Sequence, residues 1–113
     1  MAATMVKAAR VEATTADMAA TVLGLPSPGE WAVQLTGTWS GTVTFEATVD
    51  GTTWVSFELE PTTDLSGTTS SLTATATANG VWTGATRGVA GVRARFSTAT
   101  SGTVNITVRY TAY

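Results

Sequence analysis

Any chemistry in this chain falls to carboxylates, arginines and tryptophans, because its 113 residues include no histidine and no cysteine. Lacking histidine, it lacks the commonest general base, the commonest metal ligand and the usual partner of a nucleophilic serine or threonine. Lacking cysteine, it can form neither disulfides nor thiolate metal sites. The carboxylates with spacing of interest are Glu46, Glu58, Glu60 and Asp64. Two of them at the right separation would make a glycosidase pair. Carboxylates on strands far more often serve as solvating groups, and no cluster is dense enough for a calcium loop. No phosphate-cradling loop, zinc spacing or coiled-coil heptad occurs. The expectation is a non-enzymatic protein with no catalytic residue, no metal site and no cofactor.

Recognition is the chemistry that remains. Trp31, Trp39, Trp54 and Trp82 are the most informative side chains. Tryptophans in small β-domains mostly serve as packing residues, and this reading weighs most on Trp31 and Trp82. Trp39, Trp54 and Trp82 are also candidates for a subunit interface or for a platform that stacks on a sugar ring. Arg93, Arg95 and Arg109 are candidates to share one face of neighbouring strands and to pair with Glu46, Glu58 or Glu60. Solvated arginines in weak surface pairs are the plainer alternative. Asn105-Ile106-Thr107 matches a glycosylation acceptor but falls mid-strand in a chain without a recognisable secretory signal.

The elements that must position these residues have a period of two. Trp31, Val33 and Leu35 alternate with polar or small residues, and so do Val43, Phe45, Ala47 and Val49. The pattern returns at Val55–Leu59, Leu72–Ala76, Val92–Phe96 and Val104–Tyr110. Such segments, separated by Gly, Ser, Thr and Asn, predict an all-β antiparallel sandwich whose strands have one dry and one wet face. Asp50-Gly51 marks a hairpin. A three-residue loop over 49–51 would pair Phe45 with Val55 and keep the apolar face continuous. That loop needs Gly51 in a left-handed conformation and puts Trp54 on the opposite face, across from Glu46. Asn79-Gly80 predicts a second hairpin, and 97–102 a third. Ser40-Gly41-Thr42-Val43 recurs as Ser101-Gly102-Thr103-Val104, which reads as two similar turns.

Residues 1–29 differ from the rest. They are Ala-rich, hold the only lysine, Lys7, and end in Pro26, Pro28 and Gly29. They are expected to form an N-terminal arm that ends in a first strand, with a short helix over 3–23 as the competing reading. Residues 30–113 form the β-sandwich domain. At this length one core suffices and a second domain does not fit.

The stretch from Leu35 to Glu46 with Asp50-Gly51-Thr52-Thr53-Trp54 resembles small β-sandwich virion proteins of tailed bacteriophages. Ala78–Trp82, Gly91–Phe96 and Ser101–Val104 extend the resemblance over roughly residues 30–110. It implies a jelly-roll-like fold and a structural role in the virion, assembled in the bacterial host cytoplasm. The leading expectation is a capsid decoration, or cement, protein that acts as a homotrimer or larger and contacts the major capsid protein or other virion proteins. A tail, baseplate or head-fibre component is the first alternative. A carbohydrate-binding module that uses surface tryptophans on a glycan is the second.

Composition narrows the partners. The formal net charge is −2, which argues against the basic face that sequence-independent nucleic-acid binding requires. No run approaches the 18 or so apolar residues of a membrane span. Low charge with ordinary apolar content argues against disorder. Threonine, at about a fifth of residues, exceeds average usage and suits a pleated surface.

Overall fold

The computed structural model describes residues 6–26, 28–62 and 72–112. The described residues form β-strands and connecting turns with no helix, and every strand pairing is antiparallel. The strands are β1 (Val6–Ala13), β2 (Ala19–Leu23), β3 (Gly29–Thr48), β4 (Val55–Ser56), β5 (Glu60–Pro61), β6 (Thr75–Ala76), β7 (Gly80–Ala85) and β8 (Gly91–Ala112). They make one open sheet in the order β1-β8-β3-β7-β5, with β2 on β8 and with β4 and β6 on β3. The all-β antiparallel expectation is met. The pairing joins the strands into a single sheet rather than the two separate sheets of a jelly roll.

The backbone of the fold is the pairing of β3, 20 residues, with β8, 22 residues. Six alternating segments were expected, but four of them merge in pairs. The Gly/Ser/Thr stretches over 36–42 and 97–103 look like turns by composition, yet they pair with each other across the ladder, Ser40 opposite Ser101. The recurring Ser-Gly-Thr-Val motifs therefore sit at one place, where both long strands bend, and 97–102 is not a hairpin. The register slips between Ser40 and Gly41 and again between Thr42 and Val43. Each slip leaves one extra residue on β8, a bulge that bends the strand and adds twist. Gly37, Gly41 and Gly102 lie at φ 104°, 143° and 78°. A Cβ on Gly102 would run into the Thr38 carbonyl, so the close approach of the two backbones requires glycine there.

The bend folds the sheet onto itself. Phe45 lies 45 − 33 = 12 positions along β3 from Val33, which is the ladder partner of Trp82. In a flat strand that spacing spans about 40 Å. The Phe45 and Trp82 rings are instead 5.4 Å apart. The apolar face of one half, Trp31, Val33, Leu35, Val104, Ile106, Val108 and Tyr110, thus meets that of the other, Val43, Phe45, Ala47, Val92, Ala94 and Phe96. These thirteen side chains are all buried. Each Å² of apolar surface that the seam removes from water stabilises the fold by roughly 25 cal/mol.

The segment read as an arm or first strand is built into the sheet. β1 pairs with residues 104–111 of β8, and β2 pairs with residues 91–95. Ala13, Ala20 and Val22 are buried in the core. Over the described residues 6–23 the helix alternative for 3–23 is not what forms, because the backbone groups of β1 and β2 pair with β8 instead of within a helix. Residues 14–18 bridge the two strands across the bend, with Asp17 at φ 72° and its amide on the Phe96 carbonyl at 2.8 Å.

Two turn expectations also change. The Asp50 loop is wider than three residues, because Glu46 pairs with Ser56 and Ala47 with Val55. The Phe57 amide bonds the Phe45 carbonyl at 2.9 Å, so Phe57 rather than Val55 stands opposite Phe45. The Asp50 carboxylate holds this loop by accepting from the amides of Thr52 and Thr53 at 2.8 and 2.7 Å. Those bonds push its pKa well below the usual carboxylate range. Gly51 does adopt the left-handed conformation, at φ 86°. A slip of two residues leaves each side chain on its own face. At Asn79-Gly80 the flanking strands do not pair with each other. β6 joins β3 at Val43–Thr44 and β7 joins it at 30–35, one on each side of the bend.

Candidate interface: an arginine, glutamate and tryptophan ladder

On the outer face of the half that contains β2, cross-strand neighbours form a grid. Thr21, Arg93, Glu46 and Ser56 lie in one row. Ala19, Arg95 and Thr44 form the next, and Leu23, Gly91 and Thr48 the third. Even positions of β3 point away from the core here, so Glu46 should be solvated. It is only 6% exposed. Two arginines engage it, and a tryptophan stacks on one of them.

Arg93 donates from Nε to Glu46 Oε1 at 2.7 Å. Arg95 donates from Nε to the same oxygen at 3.0 Å and from Nη2 to Oε2 at 3.2 Å. Its Nη1 reaches Asp17 Oδ1 at 2.7 Å. The Arg93 guanidinium carbon sits 4.4 Å from the centroid of the Trp54 ring, within cation–π range. Burial alone would raise the Glu46 pKa, but the bonds from Arg95 and then Arg93 outweigh it and hold the carboxyl below its ordinary value. The bond to Glu46 raises Arg95 in turn, with Asp17 adding to it. Both shifts favour the charged forms of Glu46 and Arg95.

Local structure explains the assembly. Arg93 and Arg95 are two apart on β8, so the pleat puts both on one face, and Glu46 stands directly opposite Arg93. Asp17 is brought in by its left-handed backbone in the turn between β1 and β2. The wide Asp50 loop returns the chain so that Trp54 lies over Arg93. What this surface offers is shape and fixed charge. Planar guanidinium groups are locked in place, a half-buried indole stands beside them, and Leu23 is 48% exposed on the same face.

The other sequence candidates are dispersed. Arg109 is on the same strand as Arg93 and Arg95 rather than on a neighbour, and it lies beyond the bend. It is exposed on the opposite layer, flanked by Ala8 and Ala32, over a depression of about 90 Å³ with Glu30, Thr83 and Thr111. Trp82 is buried against Phe45. Trp39 packs edge-on to Phe96 at 5.8 Å and donates from Nε1 to Asn79 Oδ1 at 2.7 Å. Trp31 packs edge-on to Phe57 in the core. Of the carboxylates, Glu46 belongs to the ladder, whereas Glu58 and Glu60 are exposed. Asp64 lies outside the described residues. Sequence reasoning missed Asp17 and Asn79. Asp17 interrupts a strand pattern, and that was its only signal. Asn79 reads as a turn residue but bridges Trp39 to the Gly37 carbonyl.

No protein-family model matches the chain, and no curated protein does. Among solved structures, the fold is similar to that of the SPBc2 prophage-derived protein YomS, with a TM-score of 0.80. The likeness covers 99% of this chain and 97% of that one at 14% sequence identity. At that identity the two share a fold. The likeness takes in both long strands and the bend between their halves.

Proposed function

We propose that this protein is a structural component of a phage particle, a capsid decoration protein that works through surface contacts and not through catalysis. One observation carries the reading: its whole fold is shared with a prophage-derived protein over nearly the full length of both chains. The folded-over sheet, its two halves packed face to face, would serve as the β-sandwich module of such proteins. The ladder of Trp54, Arg93, Glu46 and Arg95 is the surface offered to the particle. It has the residue types that dominate interface energetics, and its internal bonds reduce the entropy lost on docking. The glycan reading is weaker on geometry. A sugar platform needs an open indole face, yet Trp82 is buried, Trp39 is packed on Phe96, and Arg93 covers one face of Trp54.

The test is to locate the protein in particles of the phage or induced prophage that carries its gene, by immuno-electron microscopy. Label on heads is the expected result. Label on tails or baseplates moves the assignment to those structures, and particles without label overturn it. Trp54→Ala and Arg93→Ala should leave a folded protein that is depleted from particles at least tenfold, the loss expected when an interface anchor worth about 1.4 kcal/mol or more is removed.

A further inference from the structure

The outer edge of β1 is a strand edge with a defined hydrogen-bonding pattern. The Thr86 amide bonds the Gly29 carbonyl, so odd residues at the start of β3 direct their backbone groups to β7 and even ones to β8. Following the registers from β3 to β8 and from β8 to β1, residues 7, 9, 11 and 13 bond to β8. Residues 6, 8, 10 and 12 therefore turn their N–H and C=O groups outward, and β1 pairs only with β8 among the described strands. Val6, Ala8, Arg10 and Glu12 are all exposed, and no proline blocks the edge.

We propose that a second copy of this chain adds to this edge, β1 against β1, antiparallel about a two-fold axis at Val11. Charge selects that register. Symmetric antiparallel pairing requires partners of equal parity, so four registers are available near the middle of the strand. Centring on Arg10 would oppose Arg10 to itself, and centring on Glu12 would oppose Glu12 to itself. Centring on Ala9 opposes Glu12 to Val6. Centring on Val11 opposes Arg10 of each copy to Glu12 of the other, and makes both outward-facing residues a hydrogen-bonded pair. The two side chains are free to exchange partners, because their ion pair within one strand, at 3.5 Å, is 62% and 67% exposed and weak. On the inner side, half-buried Val11 meets Val11 of the partner, and Ala9 meets Ala13, which extends the apolar face across the axis.

The pairing is isologous and closes at two. It rests on the reading that the protein is a structural component of a particle, and it adds a contact between two copies in place of the homotrimer or larger expected from the resemblance. A larger assembly on a particle would use the Trp54 ladder as a second surface, since that ladder lies on the half away from β1.

The experiment is sedimentation equilibrium of the full chain over a range of concentrations, with the parent, Arg10→Glu, Glu12→Arg and the double swap. Circular dichroism checks that each is folded. The parent should dimerise. Each single reversal puts two like-charged pairs in contact and should weaken the dimer about tenfold or more, and the double swap should restore it. Amide exchange of Arg10 and Glu12 should slow on association in the parent. A monomeric parent, a dimer indifferent to the single reversals, or a double swap that fails to recover would each overturn the proposal. Particle location is read separately, so failure here leaves the virion reading to its own test.

Discussion

Glu46 governs the outer face at the scale of the residue. Its two oxygens accept three bonds from Arg93 and Arg95, and the residue is nearly as buried as the core. Glu46→Ala would leave two guanidinium groups side by side without their counter-charge, and should cost on the order of 3 kcal/mol in urea unfolding at pH 7. Glu46→Gln keeps the shape and one acceptor and should cost less. The pH dependence follows from the depressed pKa. The ionised form is the one that folding favours, so its contribution is present above the ordinary value of 4.5 and is lost as pH falls through the lower folded value. Parent stability should therefore decline as pH falls below 4.5 more steeply than that of Glu46→Gln, as measured by denaturant midpoints across the acid range. Trp54→Ala removes the cation–π partner of Arg93 and should cost only about 1 kcal/mol. Any larger effect on particle attachment would then belong to the contact itself.

At the scale of the element, the bend in β3 and β8 has the strictest requirements. Gly102 combines φ 78° with a Cβ position that the Thr38 carbonyl already occupies. Gly51 has a similar φ of 86° but open space around it. The two substitutions separate conformational strain from collision. Gly51→Ala should cost about 1 kcal/mol, the left-handed penalty alone. Gly102→Ala must also push two backbones apart and should cost at least twice as much, as thermal melts would report. Local pattern misled at this scale. Gly, Ser and Thr over 36–42 and 97–103 have turn composition, and nothing within either stretch reveals that the other lies across from it. Asp50-Gly51 was legible as a turn because its chemistry is local. Its width was not, since the Asp50 carboxylate, beyond what Gly51 requires, sets it.

At the scale of the whole molecule, β3 and β8 run through both halves, so neither half can open without breaking the ladder of the other. Unfolding should be one cooperative step, with tryptophan fluorescence and far-ultraviolet dichroism tracing coincident transitions. Phe45→Ala, at the seam where the halves meet, should cost about 3–5 kcal/mol. Removing residues 1–25 deletes β1 and β2 and with them the buried Ala13, Ala20 and Val22, so that truncation should unfold the protein instead of releasing a tether. The sequence by itself determined the all-β class, the face of almost every strand residue and the shared face of Arg93 and Arg95, because period-two alternation is written in adjacent residues. Tertiary structure alone decided which segments fuse into long strands, the separation of Arg109 from its supposed partners and the arrival of Asp17 at Arg95. The physical reason is common to all three: each depends on hydrogen bonds between residues far apart in the chain, and on a bend that forms only where two glycine-bearing stretches meet.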